Sequence, residues 1–339
     1  MYPKVSIVIV NFKGTEALKK CLRSVFETEY PDYEVIVVDS LTDNVEKALR
    51  DEFGSKENLK IIHFDSNIGA SGSHNVGAMA SDPNSKYLVF LDNDVEVEKD
   101  WLKRLVETAE ESPRIGCVQA KVISKSNEGR MDHAGLALDL TATWLSTYGF
   151  REEIFQRPIE LFVASSAALL TPRELYFKVG GFDSSYFIYD DDTDYTWRVR
   201  LQGYISLLET RARVYHEDKI SSRLRFDKLY FGYRNRLQNI VKNMDAKNMV
   251  VSLLVTLYLG YLVTVLLALA GRIRETAAYF LSSTSVVFSL PRLMWKRKLV
   301  SLKRRVPDSY FEKKGFLRKD LLGTIYMTRA LLIRSVRKK

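Results

Sequence analysis

Cysteine is almost missing from this 339-residue chain. Its two cysteines, Cys21 and Cys117, are too few for a disulfide framework or a zinc cluster, so both read as reduced, buried thiols. An export signal is missing too. The opening MYPKVSIVIV runs into an apolar stretch of only six residues and has no cleavage region, so the N-terminal part is expected to stay in the cytosol. The glycines Gly69, Gly72 and Gly77 do not fit the dinucleotide fingerprint, and no phosphate-loop lysine follows them. Acidic residues are scarce at the C-terminal end, where residues 291 to 339 hold 16 Lys and Arg against 3 Asp and Glu. Residues 1 to 290 are mildly acidic, with 35 basic and 39 acidic side chains, so the net charge of +9 belongs to the end of the chain.

What is present is an ordinary folded composition, 46% hydrophobic and 27% charged, in a chain long enough for one large domain and an appendage. The run MVVSLLVTLYLGYLVTVLLALA, Met249 to Ala270, is 22 residues without a charge. As a helix it reaches about 33 Å, enough to cross a bilayer core. A second segment, Thr276 to Pro291, is shorter, holds five interior Ser or Thr, and is followed by Arg292. Spanning and re-entrant readings are both open for it. The positive-inside rule favours a hairpin that returns the basic tail to the cytoplasmic side. DLLGTIYMTRALLIRSVRKK would then form an amphipathic helix on the anionic leaflet. The expected layout is a catalytic body at 1–240, a membrane hairpin at 241–295 and a basic tail at 296–339. The partner of that tail is the lipid bilayer and not nucleic acid, since the basic residues adjoin a hydrophobic span and no nucleic-acid motif accompanies them.

The body alternates short β-branched runs with helical stretches: KVSIVIV, YEVIVVD, LKIIHF and KYLVFLD, each followed by a helix-forming segment. That pattern indicates βαβ units, a mostly parallel sheet and an α/β fold. In such sheets ligands bind beyond the carboxyl ends of the strands. Those positions hold Asn11, Asp39, Asp65 and the pair Asp92 and Asp94. Two carboxylates one residue apart in a tight turn can face one spot, where oxygen ligands suit Mg²⁺ or Mn²⁺. They could equally cap the helix that begins near Lys99. Further on, YDDDTDYTWR crowds Asp190, Asp191, Asp192 and Asp194 into five positions, which on composition alone is a solvated charge run.

Taken together, VSIVIVNFKG, EVIVVDS, NIGASGSHNVGA, YLVFLDNDVEV, GGFDSSYFIYDDDTDYTWRVRLQGY and VYHEDKISS resemble the family two inverting glycosyltransferases. The motifs follow in unbroken order from residue 4 to about 240, and the tail is similar to membrane-attached members that build lipid-linked or cell-surface glycans. The resemblance implies a GT-A (Rossmann-like) fold, with a mixed, mostly parallel sheet flanked by helices and a C-terminal helical membrane region. It also implies a nucleotide-sugar donor (UDP-, GDP- or dTDP-linked), a divalent Mg²⁺ or Mn²⁺, a glycan or polyprenyl-linked acceptor, and inversion at the anomeric carbon. Asp39 matches the residue that contacts the donor base. Asp92 and Asp94 match the DxD signature, the first near the ribose and the second on the metal, and Asn11, Asn67 and Asn93 join the donor-binding set. Asp192 matches the catalytic base, with Asp191 where the pair's usual Glu stands, and His216 matches a late histidine near the metal or diphosphate. The same resemblance places the enzyme at the cell membrane with its catalytic body in the cytoplasm, either alone or as an oligomer.

The chain departs from the family pattern in three places. DSLTDN after the second strand is one residue short, VASSAALLT carries Ser and Ala where many relatives have Gly, and no QxxRW occurs, which points away from processive polymerisation. Trp144, Tyr148, Phe150 and Phe155 fall where an acceptor pocket would form, although core packing is expected for most of them. Competing readings are an aspartate-dependent phosphotransferase, suggested by VFLDNDVEV, an all-helical prenyl-diphosphate enzyme, suggested by DDxxD, and a non-catalytic membrane-anchored subunit.

Overall fold

A computed structural model describes residues 2–54, 56–127, 129–217 and 226–326. The β-branched runs form strands because both faces of each are covered: β1 (Val5–Phe12), β2 (Tyr33–Ser40), β3 (Leu59–Phe64) and β4 (Tyr87–Asp92) alternate with α1 (Thr15–Phe26), α2 (Val45–Phe53) and α3 (Gly69–Met79). After β4 come β5 (Val95–Val97), α4 (Trp101–Glu110), β6 (Ile115–Ser124), the hairpin strands β7 (Gly135–Leu138) and β8 (Trp144–Ser146), then β9 (Ile159–Leu161) and β10 (Ala168–Pro172). The body continues with α5 (Arg173–Val179), α6 (Asp191–Leu201), β11 (Ile205–His216) and α7 (Phe226–Asn243).

Nine strands make one mixed sheet in the order β3-β2-β1-β4-β10-β6-β11-β5, with β9 also on β11. Six run parallel, while β10, β5 and β9 run against their neighbours. This is the α/β architecture expected from the alternation, and so large a sheet excludes the all-helical prenyl-diphosphate reading. The period of two divides the core. Val5, Ile7 and Ile9 of β1 pack with α1, α2 and α4, while Val8 faces α3 with Leu88, Phe90 and Ala78. Both cysteines are buried and free, one in each layer.

Register places the chemistry. Asn11 lies opposite Asp39, Val10 opposite Asp92, and His216 at the end of β11 lies opposite Val95. The chain therefore turns through Asp92, Asn93 and Asp94 straight into the strand that pairs with His216. Two glycines explain the small residues of α3. A Cβ on Gly77 would sit 2.2 Å from Val8 Cγ1, so that helix rides directly on β1. Gly69, at φ +77°, lets the helix start against the Phe187 carbonyl, just ahead of the acidic run.

The C-terminal part is helical: α8 (Ala246–Leu269), α9 (Ile273–Lys303) and α10 (Asp308–Lys313). Among the described residues α8 alone is long and apolar enough to cross a bilayer, at 24 residues or about 36 Å. Where the sequence suggests an end at Arg292, α9 runs on through Pro291 to Lys303. Its second half is held by the body: Lys296 Nζ lies 2.6 Å from Asp183, and Arg297 donates to the carbonyls of Val241 and Met244.

The tail differs from expectation as well. Arg304 binds Asp245 and Asp308, and Phe311, Phe316 and Leu317 are buried with Phe162 and Trp197, the Arg200 guanidinium lying 4.4 Å from the Phe316 ring centre. Leu317 bridges to Leu138, and Asp139 accepts the backbone N–H of Thr324 at 2.7 Å. Three apolar side chains set among the basic residues thus draw this part of the tail onto the body. Residues 327–339 of the expected surface helix lie outside the described residues.

Gly77→Ala should lower the denaturation midpoint of the purified protein by the equivalent of about 1–3 kcal/mol, because its methyl overlaps Val8 in a packed layer. Thermal unfolding followed by circular dichroism checks this, and an unchanged midpoint would contradict the contact.

Candidate active site

One edge of the sheet carries a hydrogen-bonded cluster at the ends of β1, β2 and β4. Asn11 donates to Asp39 Oδ1 and accepts from Asn93 Nδ2. Asp39 is fully buried and also accepts from the Thr42 hydroxyl (2.6 Å), the Thr42 N–H (3.2 Å) and His63 Nδ1 (2.8 Å). Its contacts are therefore internal, and Thr42 and the partly exposed His63 border it at this edge. The Asp39 contact outweighs the cost of burial and raises the His63 pKa above its ordinary value. Asn67 is exposed, and its side chain caps the N–H of Gly69 (2.9 Å) at the start of α3. It joins none of the other predicted residues.

Beside this edge the side chains of Asp92, Asp94 and His216 converge, with ligand atoms all within 4.8 Å of one another. His216 lies between two carboxylates: Nε2 is 3.1 Å from Asp94 Oδ1 and Nδ1 is 2.6 Å from Asp132 Oδ2. Burial alone would lower the imidazole pKa, but Asp132 and Asp94 push it up to about 11. Burial and then the Asp94 charge push Asp92 up to about 6. Two carboxylates and an imidazole, the latter oriented through its other nitrogen by a carboxylate, are a donor set that fits a divalent cation such as Mn²⁺ or Mg²⁺. Asp132 gave no signal in the sequence, because it lies 84 positions from His216 and meets it only through folding. Residues 218–222 of the VYHEDKISS motif lie outside the described residues.

The acidic run opens α6, and its four carboxylates have separate surroundings. Asp192 is half-buried, with Oδ1 accepting the N–H of Thr193 (2.7 Å) and Oδ2 that of Ser166 (3.3 Å). Burial, then the charges of Asp191 and Asp190, hold its pKa well above the usual carboxylate range. Asp191 is buried and turned toward α3, accepting from the Ser71 hydroxyl at 2.9 Å, and burial raises it too. His74 lies 4.0 Å from Asp191, and burial lowers its pKa to about 3, so it is neutral. Asp190 is not the solvated charge that composition suggests. It sits at φ +58° with its carboxylate accepting from the Thr193 hydroxyl, and burial raises its pKa.

Asp194 is structural. It is fully buried between Arg198 (2.8 Å) and Lys242 (2.8 Å), and Lys242 also reaches Asp183 at 2.6 Å. Burial pushes the Asp194 pKa up, but Arg198 and Lys242 outweigh it and hold the group below its ordinary value.

The segment Ser165 to Ala167 joins the two acidic groups. Ser166 N–H donates to Asp192, and the next carbonyl, Ala167 O, accepts from Asp92 N–H at 3.2 Å. Asp92 and Asp192, 100 positions apart, are therefore bound to adjacent residues. The Ser and Ala that depart from the family pattern in VASSAALLT form this link.

Comparison with known proteins bears on the family and the fold. The sequence profile described as "Glycosyl transferase family 2" matches residues 6–180, more than half of the chain. The chain is 27% identical over 239 residues to the O-antigen biosynthesis protein RfbC of Myxococcus xanthus, a match covering 65% of this chain but 18% of that protein. Among solved structures, it resembles GalNAc-T7 with UDP, GalNAc and Mn²⁺ (TM-score 0.59, 18% identity, 72% of this chain and 49% of that one). It also resembles the mannosyltransferase PcManGT from Pyrobaculum calidifontis with GDP-Man and Mn²⁺ (TM-score 0.56, 16% identity, 89% and 86%). The fold of these structures is the GT-A fold expected from the motifs.

Lys242→Met should lower stability by about 3 kcal/mol, since it leaves Asp183 and Asp194 facing each other across a buried gap. Chemical denaturation of wild type and variant measures this. A variant as stable as wild type would remove Lys242 from the support of α6.

Proposed function

The chain belongs to glycosyl transferase family 2, and from that premise we propose that it is a membrane-attached, metal-dependent, inverting and non-processive glycosyltransferase. It moves a sugar from a nucleotide-sugar donor to a hydroxyl of a glycan or lipid-linked acceptor. The observation that carries this reading is the attachment of Asp92 and Asp192 to the adjacent residues Ala167 and Ser166, which sets a raised-pKa carboxylate beside a cation-binding cluster.

Asp192 is the general base. It takes the proton of the acceptor hydroxyl as that oxygen attacks the anomeric carbon from the face opposite the leaving diphosphate. Its two backbone hydrogen bonds fix its direction, and like-charge neighbours make it a stronger base at neutral pH. Asp191 acts on Asp192 through charge and is itself tied to Ser71. The donor's base and ribose lie at the edge formed by Asn11, Asp39, Asn93 and Asp92, with Asn67 beyond it. A divalent cation held by Asp94 and His216 would supply charge neutralisation at the diphosphate. Asp132 keeps the His216 ring aimed at that position. The membrane reading rests on α8 and on the basic C-terminal charge, with the catalytic body on the cytoplasmic side.

Asp192→Asn should lower the transfer rate by ~10²- to 10⁴-fold while nucleotide binding persists. Full transfer by that variant in a radiolabelled-sugar assay would end the assignment. In wild type the acidic limb of the pH–rate profile should lie above the ordinary carboxylate pKa of about 4. Asp191→Asn removes a neighbouring charge and should move that limb to lower pH. Asp94→Asn should abolish the Mn²⁺-dependent part of nucleotide binding in calorimetry, and undiminished metal dependence would exclude Asp94 as a ligand.

A further inference from the structure

An acceptor has to bring a hydroxyl to Asp192, so the side chains bordering that carboxylate decide which acceptor fits. Trp144 on β8 is linked to it through one residue. Its indole N–H donates to the Thr193 hydroxyl at 2.9 Å, and Thr193 N–H in turn holds Asp192 Oδ1. The ring is half-buried, packed in part against the core that contains Leu138 and Trp197.

From Trp144 a line of rings leads toward the cation cluster. The His133 ring lies edge-on to Trp144 with centres 6.3 Å apart, and stacks on Tyr148 at 4.5 Å and 10°. His133 directly follows Asp132, the carboxylate that holds His216. The ledge thus has the base at one end and the support of the cation cluster at the other. Tyr148, 39% exposed, and Phe150, 47% exposed, follow β8 on the surface, while Phe155 packs against the core.

We propose that Trp144, His133 and Tyr148 form an acceptor subsite for a pyranose ring. This rests on Asp192 being the base. The C–H face of a pyranose carries partial positive charge and suits the negative face of an aromatic ring, and the polar rims of Tyr and His can bond sugar hydroxyls. A ring seated there brings a hydroxyl toward Asp192 in a restrained orientation, which is where positioning gains rate. The hydroxyl that Asp192 would deprotonate belongs to the sugar itself, so the group recognised is a glycan acceptor and not the phosphate of a polyprenyl carrier.

The test is saturation-transfer difference NMR on the full-length protein with diamagnetic Mg²⁺ and UDP or GDP, using a panel of methyl pyranosides and, in a separate arm, a short-chain polyprenyl phosphate, with nucleotide binding in Mn²⁺ measured by calorimetry. At least one glycoside should bind saturably, about tenfold more weakly in Tyr148→Ala, with its signal lost in Trp144→Ala. Nucleotide binding should be kept in both, and Tyr148→Phe should restore the affinity. If nucleotide binds but no glycoside does, or only the polyprenyl phosphate does, or glycoside binding survives both substitutions, the subsite is refuted. If wild type binds no nucleotide with Mn²⁺, the proposed function itself fails, and this inference with it.

Discussion

The buried charge cluster of Asp194, Lys242, Asp183, Arg198 and Lys296 is the constraint on which the acidic start of α6 depends. It joins α6, the loop before it, α7 and α9 at one point, with Asp183 held by lysines from two different helices. Taking these ions out of water costs several kcal/mol each, so the cluster is favourable only when every partner is in place. That requirement fixes α6 in rotation and height. Asp192 sits two residues before Asp194 on the same helix, so its aim follows from a bond it does not make.

Given that fixed helix, the site is assembled from segments far apart in sequence. The ends of β1, β2 and β4 bring Asn11, Asp39 and Asp92 together through parallel register, and β11 delivers His216 by pairing with β5. The backbone at Ser166 and Ala167 then couples the two acidic centres. Both centres hold carboxylates close together, and both pay a repulsive cost that a protein built for stability alone would avoid. Burial first and these neighbouring charges second raise the pKa values of Asp192 and Asp92, a combination that is common at functional sites.

Much of this was legible in the sequence because strand-end positions and motif order are local properties. The alternation of apolar runs gave the sheet, whereas the close approach of Gly77 to Val8, which accounts for a glycine of NIGASGSHNVGA, emerges only from the fold. Partners brought in by tertiary folding were not legible. Asp132, Ser71, Ser166 and Lys242 carry no spacing that marks them, and each acts through a contact spanning 26 to 120 positions. The acidic run looked uniform for the same reason: its four carboxylates differ only in what other segments set against them. The basic residues dominate the composition of the tail, while the contacts of Phe311, Phe316 and Leu317 with the body become visible only in the fold.

The hydrophobic pair α8 and α9 leaves the body and comes back to it. One end continues from α7, and the other is fastened by Lys296, Arg297 and Arg304 before the chain returns to the β7–β8 hairpin. A segment joined at both ends acts as a strut and not as a tether. Under the proposed membrane attachment, it would hold the acidic end of α6 at a constant height and tilt above the lipid surface.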